Sequence, residues 1–230
     1  MIGYLIMQEL GNLLPLDKPL TTILTMIEVD ASDPAFANPT KPIGPIYTAE
    51  ETAKLTTEKD WTFKPDGENV RRIVASPLPK HIFGVGSMER LLEYGAVVIC
   101  TGGGGIPTIH IDEPVPAGKR LVGVDAVIDK DLASAVLAAD LRANALLIVT
   151  DVDAVYADWG TPQQRAIAHA TPDELAASTF AEGSMGPKVR AACQYVEQTG
   201  GFAAIGSIDD AEGLLAGTAG TCVSPAGVQS

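Results

Sequence analysis

Apolar residues recur along this chain in two patterns, one with helical spacing and one of short unbroken runs. Residues 122–156 hold both in succession. Leu132, Val136 and Ala139 repeat at helical spacing, with Ala135 and Ala138 on the same side. Residues 145–149 are then uninterruptedly apolar, as expected of a strand covered on both faces. Polar groups return at Thr150-Asp151-Val152-Asp153. The pattern predicts a helix with Asp129 as its N-cap, followed by a buried strand that ends in an acidic loop.

The same reading extends over the rest of the chain. Residues 1–14 are predicted helical, with Ile2, Leu5, Ile6, Leu10 and Leu13 apolar. Residues 22–29 are β-branched and predict a central strand. A helix at 88–94, ended by Gly95, leads to a buried strand at 96–100. Residues 109–120 read as a polar, proline-bearing excursion, 154–156 as a short strand and 159–168 as a surface loop. Thr171-Pro172-Asp173-Glu174 is a helix start. Another helix begins at Pro187 and buries Val189, Ala192, Cys193 and Val196. Strand, helix and strand follow at 203–206, 209–215 and 221–223. Such alternation predicts an α/β fold with a mainly parallel sheet and helices on both faces.

Residues 31–76 break the pattern. Pro34, Pro39, Pro42, Gly44 and Pro45 crowd together, and charge rises over 50–59. Residues 61–63 and 72–74 suit the strands of a small hairpin. The organisation expected is one α/β domain over 1–230 with an inserted subdomain at 31–76, since a structureless loop of that length is uncommon in a compact domain.

Charge placement adds candidate chemistry. With Asp129 as cap, Lys130 falls in the first helical turn, against the positive end of the helix dipole, and Asp131 beside it is the charge that end prefers. Lys188 falls in the first turn of the Pro187 helix, within Gly183-Ser184-Met185-Gly186-Pro187-Lys188. Gly102-Gly103-Gly104-Gly105 follow a predicted strand, where backbone N–H groups can surround an anion with no Cβ in the way. A solvated surface lysine is the competing reading of Lys130 alone. Two such lysines and a glycine loop together point to a phosphate site.

Composition narrows the classes. At 230 residues and 46% hydrophobic content the chain can bury a full core. A net charge of −13 argues against nucleic acid and anionic membranes as partners, though not against a small phosphorylated ligand. No run is long and apolar enough to span a bilayer, and no basic region with a cleavage site opens the sequence. Cys100, Cys193 and Cys222, odd in number and set in apolar sequence, read as buried free thiols in a reducing cytoplasm. His81, His110 and His169 are scattered, so no metal site is expected. There is no Walker A loop, Gly84-Val85-Gly86 lacks the third glycine of a dinucleotide fingerprint, and no nucleophile elbow is present.

Three segments, Gly102-Gly103-Gly104-Gly105-Ile106-Pro107, Val124-Asp125-Ala126-Val127-Ile128-Asp129-Lys130-Asp131 and Gly183-Ser184-Met185-Gly186-Pro187-Lys188, resemble the signature segments of carbamate kinases, a branch of the amino-acid kinase superfamily. Asp33-Pro34-Ala35-Phe36, Lys41-Pro42-Ile43-Gly44-Pro45 and Val74-Ala75-Ser76-Pro77 are similar to that family's lid and the segment after it. The resemblance runs the length of the chain. It implies a three-layer αβα sandwich, a homodimer, and reversible phosphoryl transfer between ATP and carbamate, giving ADP and carbamoyl phosphate with Mg²⁺. On it, Lys130 and Lys188 stabilise the transferring phosphoryl group and Asp131 holds both ammonium groups. Asp151, Val152, Asp153 and Tyr156 line the nucleotide pocket, with Met185 and Gly186 near it. Gly102 to Gly105 and Lys41, reaching from the lid, serve phosphate and acceptor.

Carbamate kinases also carry a strand leading into a Gly-Gly-Asn turn and a His-Gly-Asn-Gly segment, both ahead of the position matching Met1. Neither occurs in these residues. The expectation is therefore a truncated product, a start assigned to an internal methionine, or a degenerate relative, with the acceptor half of the site missing. The alternative reading is a catalytically inactive nucleotide-binding or dimerising remnant. A kinase of amino acids or nucleoside monophosphates is disfavoured by the lid.

Overall fold

The computed structural model describes residues 2–67, 69–116, 118–181 and 183–225. They form two units, one comprising residues up to Gly84 together with Gly95–Asp129, the other Val85–Tyr94 and the residues from Lys130 onward. Elements are numbered in chain order.

In the first unit, α1 (Ile2–Leu13) forms as its apolar spacing predicts, but none of its residues is buried. Met1, which the prediction included, lies outside the described residues. The strand expected over 22–29 is instead two, β1 (Leu20–Thr22) and β2 (Met26–Val29). Thr25 between them accounts for the break. Its buried hydroxyl donates to the Ile23 carbonyl and accepts from the Thr101 amide at 2.9 Å, replacing ladder bonds with a side chain.

The 31–76 segment contains α2 (Pro34–Ala37), β3 (Lys41–Ile46), α3 (Ala49–Lys59), β4 (Thr62–Asp66) and β5 (Asn69–Val74). The predicted hairpin is present as the longer β4–β5 pair, and β3 completes an antiparallel sheet in the order β3-β5-β4. Pro42 and Pro45 fit β3 because an edge strand can spare ladder donors. No residue of α3 is buried; a Thr48–Glu51 capping box fixes its start. Two cations lie over the Trp61 ring, Lys59 Nζ at 4.7 Å and the Arg72 guanidinium at 3.8 Å from its centre.

The unit continues with β6 (Pro79–Ile82), β7 (Val97–Ile99), β8 (Ile106–Val115) and β9 (Gly118–Gly123). The excursion expected over 109–120 is mostly the β8–β9 hairpin. Its register shifts between Ile111 and Pro114, so the proline sits at an irregularity the ladder tolerates. The sheet order is β6-β2-β8-β9, with β2 and β8 parallel and both outer pairs antiparallel; β1 and β7 form a separate parallel pair.

The second unit contains α4 (Val85–Glu93), α5 (Lys130–Asp140), β10 (Ala145–Thr150), β11 (Val155–Ala157), β12 (Arg165–Ile167), β13 (His169–Ala170), α6 (Pro172–Ala176), α7 (Met185–Thr199), β14 (Phe202–Ser207), a 3-10 turn at Ile208–Asp210, α8 (Ala211–Ala216) and β15 (Thr221–Val223). Its sheet runs β10-β14-β15-β13, with β10 parallel to β14, β15 antiparallel to β14, and β13 parallel to β15. The fold is thus a mixed α/β one with parallel sheet elements. Leu132, Ala135, Ile148, Val189, Ala192 and Tyr195 belong to one core joining α5, α7 and the sheet.

Some expectations are corrected here. β10 ends its sheet and is not covered on both faces: Leu146 and Ile148 are buried, whereas Val149 is 43% exposed. The loop expected at 159–168 contains β12, paired with β11. The last long helix starts at Met185, so Pro187 is its third residue; Lys188 remains in the first turn. All three cysteines are free, but only Cys222 is buried, with Cys100 and Cys193 half-buried. Among the described residues no helix is long and apolar enough to cross a membrane.

Candidate functional site

The second unit brings three of the charged residues together. Helix α5 opens with Lys130 and Asp131, and α7 presents Lys188 in its first turn. Apolar packing of α5 on α7 aligns the two starts, because Leu132, Ala135, Val189 and Ala192 share one core. Lys188 Nζ lies 3.0 Å from Asp131 Oδ2, and Lys130 Nζ lies 3.9 Å from the same oxygen. The Asp131 and Lys188 side chains are only 10% and 14% exposed, whereas Lys130 is 61% exposed. One shielded carboxylate thus holds a shielded ammonium and has a second, movable one beside it. Such a carboxylate relieves the repulsion between two ammonium groups that face the same anion.

The chain ahead of α7 folds back tightly on its first turn. The Gly186 amide donates to the Ala181 carbonyl at 2.9 Å, and a Cβ there would stand 3.1 Å from that oxygen. Met185 and Gly186 are the first two residues of α7, just ahead of Lys188. Ser184, at the N-cap, makes no side-chain capping bond.

The acidic loop after β10 is also in this unit. Asp151 accepts from the Thr150 hydroxyl at 3.1 Å. The Tyr156 hydroxyl donates to both Asp153 carboxylate oxygens, at 2.9 and 3.0 Å, and that bond raises the phenol's pKa. Thr221, fully buried, accepts from the Val155 amide at 2.8 Å and donates to the Ile167 carbonyl, joining β15 to the β11–β12 hairpin. Its role has no sequence signal, since a lone threonine in a strand is ordinary.

The first unit holds the other candidates. Lys41 Nζ donates to Asp129 Oδ2 at 3.0 Å. Gly102, Gly104 and Gly105 all have positive φ, which the loop requires. At Gly105 a Cβ would come within 2.6 Å of Ile27 Cδ1, so glycine is also needed for packing. The loop amides are partly committed. Gly102 donates to the Cys100 carbonyl at 2.7 Å, Gly104 to the Thr101 carbonyl at 2.9 Å, and Gly105 to that same carbonyl. As formed, the loop points fewer free donors outward than four glycines suggest. Among the described residues no group of three or more His, Cys, Asp and Glu side chains could hold a metal ion.

Residues 53–205 match the family model described as Amino acid kinase family. The carbamate kinase of Haemophilus influenzae is 52% identical over 224 residues, which are 97% of this chain and 71% of that protein. The chain belongs to the carbamate kinase family. The carbamate kinase of Escherichia coli K12 is 51% identical, again over 97% of this chain and 72% of that protein. The solved carbamate kinase of Giardia lamblia bound to AMP-PNP superimposes with a TM-score of 0.87 at 36% identity, covering 97% of this chain and 72% of that one. The mixed α/β architecture is therefore the amino-acid kinase fold of carbamate kinase structures.

Proposed function

We propose that the chain is a carbamate kinase that transfers a phosphoryl group reversibly between ATP and carbamate, giving ADP and carbamoyl phosphate. The observation that carries this reading is Asp131 holding Lys188 at 3.0 Å, with Lys130 beside it, in a chain about half identical to carbamate kinases. Phosphoryl transfer needs little covalent chemistry from a protein; alignment and charge stabilisation do most of the work. Lys130 and Lys188 would neutralise the charge spread over the transferring group, and Asp131 would hold both ammonium groups in place. Asp151, Val152, Asp153 and Tyr156 would line the nucleotide pocket, with Met185 and Gly186 beside it. Gly102 to Gly105 and Lys41 would serve phosphate and acceptor, with residues 31–76 acting as a lid on the kinase domain. Mg²⁺ would accompany the nucleotide and offset part of its phosphate charge. A homodimer working in the cytoplasm completes the reading.

The alternative of an inactive remnant draws no support from these relatives. The test is coupled measurement of ATP formation from ADP and carbamoyl phosphate. It is run on the 230-residue chain and on a version extended at its N-terminus with the preceding segment of the Haemophilus influenzae relative. Turnover by either supports the reading; none from both overturns it.

A further inference from the structure

The sequence Asp129-Lys130-Asp131 carries a carboxylate on each side of a lysine. Each carboxylate holds a lysine from elsewhere at the same distance. Asp131 takes Lys188, and Asp129 takes Lys41 on β3, 88 residues away in sequence, at 3.0 Å. The Lys41 pair is built from below. Lys41 is the cross-strand partner of Val74 on β5. The next residue, Ala75, bridges in parallel to Ala126, and its carbonyl accepts from the Val127 amide at 2.9 Å. Arg72, on the same strand, pairs with Asp125. Residues 125–129 are thus strapped along the base of the β3-β5-β4 sheet, which brings Asp129 under Lys41.

Burial argues that the pair is more than a surface contact. The Asp129 side chain is only 10% exposed, and a carboxylate so shielded needs a charged partner. The Lys41 side chain keeps 37% of its exposure, and an ammonium has three donors of which Asp129 takes one. The lysine is therefore anchored on one side and still able to meet an anion with its other N–H groups.

We propose that Asp129 is a positioning residue that aims the Lys41 ammonium at the phosphate of carbamoyl phosphate. This rests on the reading of Lys41 as an acceptor-side lysine. Asp129→Asn is the informative change: it removes the charge yet keeps the shape, and asparagine caps a helix as well as aspartate does.

The first measurement does not depend on turnover. Lysine acylation by a water-soluble active ester, followed residue by residue by mass spectrometry, reports how far the Lys41 amine is engaged by its neighbour. In D129N, Lys41 should label several times faster, while exposed Lys54 on α3 is unchanged. An equal Lys41 rate in both proteins, or a joint rise of Lys41 and Lys54, overturns the proposal. The second measurement uses whichever version turns over. D129N should lower kcat/KM for carbamoyl phosphate about tenfold, the size of effect expected from a displaced binding group, and leave the KM for ADP unchanged. The change should add nothing on top of Lys41→Ala, because a residue acting through Lys41 has no effect once Lys41 is gone. An additive loss, or one confined to ADP, overturns it. If neither version turns over, the kinase reading fails while the labelling result still decides whether Asp129 holds Lys41.

Discussion

Two lysine–aspartate pairs of equal length sit in unlike surroundings. Lys188–Asp131 lies where two helices pack over an apolar core, and both side chains are shielded. Lys41–Asp129 joins an edge strand of a small antiparallel sheet to an extended segment, and its lysine is more than a third exposed. Both pairs have the same N···O distance, but their shielding and their freedom to move differ. Packing of α5 on α7 fixes the first, as preorganised charge stabilisation requires. The second has polar and backbone bonds as its main supports, so it can shift at smaller cost.

The largest effect should come from the rigid pair. Lys188→Ala should reduce ATP formation by a version that turns over by roughly a hundredfold or more, the range for removing one charge-stabilising donor. A loss below about tenfold would show that the pair serves folding alone. Asp131→Ala should cost roughly 3–5 kcal/mol in urea unfolding, since it leaves a largely shielded ammonium without this carboxylate; an unchanged midpoint would remove the contrast between the pairs. Trp61→Ala, which dismantles the Lys59–Trp61–Arg72 stack, should destabilise by about 1–2 kcal/mol. Its effect should be local, read as faster amide exchange in β4 and β5 with α5 and α7 unchanged.

The capping boxes should give smaller changes. The Thr48 and Thr171 amides and hydroxyls hold Glu51 and Glu174 below the ordinary carboxyl value of 4.5. The folded-state value is the lower one, so this stabilisation is complete above 4.5 and fades as pH falls through the lowered values. Thr171→Ala should cost about 1 kcal/mol at neutral pH and less in acid, measured by urea midpoints across that range. An equal loss at both ends would mean the box does not titrate. The smallest effect concerns Cys193, whose thiol is pushed up to about 11, first by burial and then by Glu197. It should resist iodoacetamide at neutral pH until the protein unfolds; fast alkylation would mean that α7 is looser than its packing implies.

The same contrast explains what the sequence made legible. Helices α5 and α7 and strands β10 and β14 owe their existence to buried apolar side chains, whose spacing is written locally. Lys130, Asp131 and Lys188 were also legible, because a lysine in a first helical turn conflicts with the dipole and invites a reason. The inserted sheet was harder to read. Its helix α3 buries nothing and depends on capping, and β3 carries two prolines that argue against a strand. The break at Thr25 and the hairpin across 109–120 depend on one hydroxyl and one register shift, which leave no periodic trace. The Lys41–Asp129 pair was illegible because 88 residues separate its members.

Strand β14 carries a final consequence. A Cβ on Gly206 would collide with the Asp153 carbonyl at 2.8 Å and Leu214 at 2.7 Å, and one on Gly220 would reach Leu214 at 2.3 Å. The backbone of the acidic loop therefore rests directly on main chain, with no side chain between them to absorb an error. In a saturation-mutagenesis screen, both glycines should score as intolerant as the lysines do, because a side chain at either would overlap atoms already in place. Neutral drift in descendants of this chain would be blocked there by geometry alone.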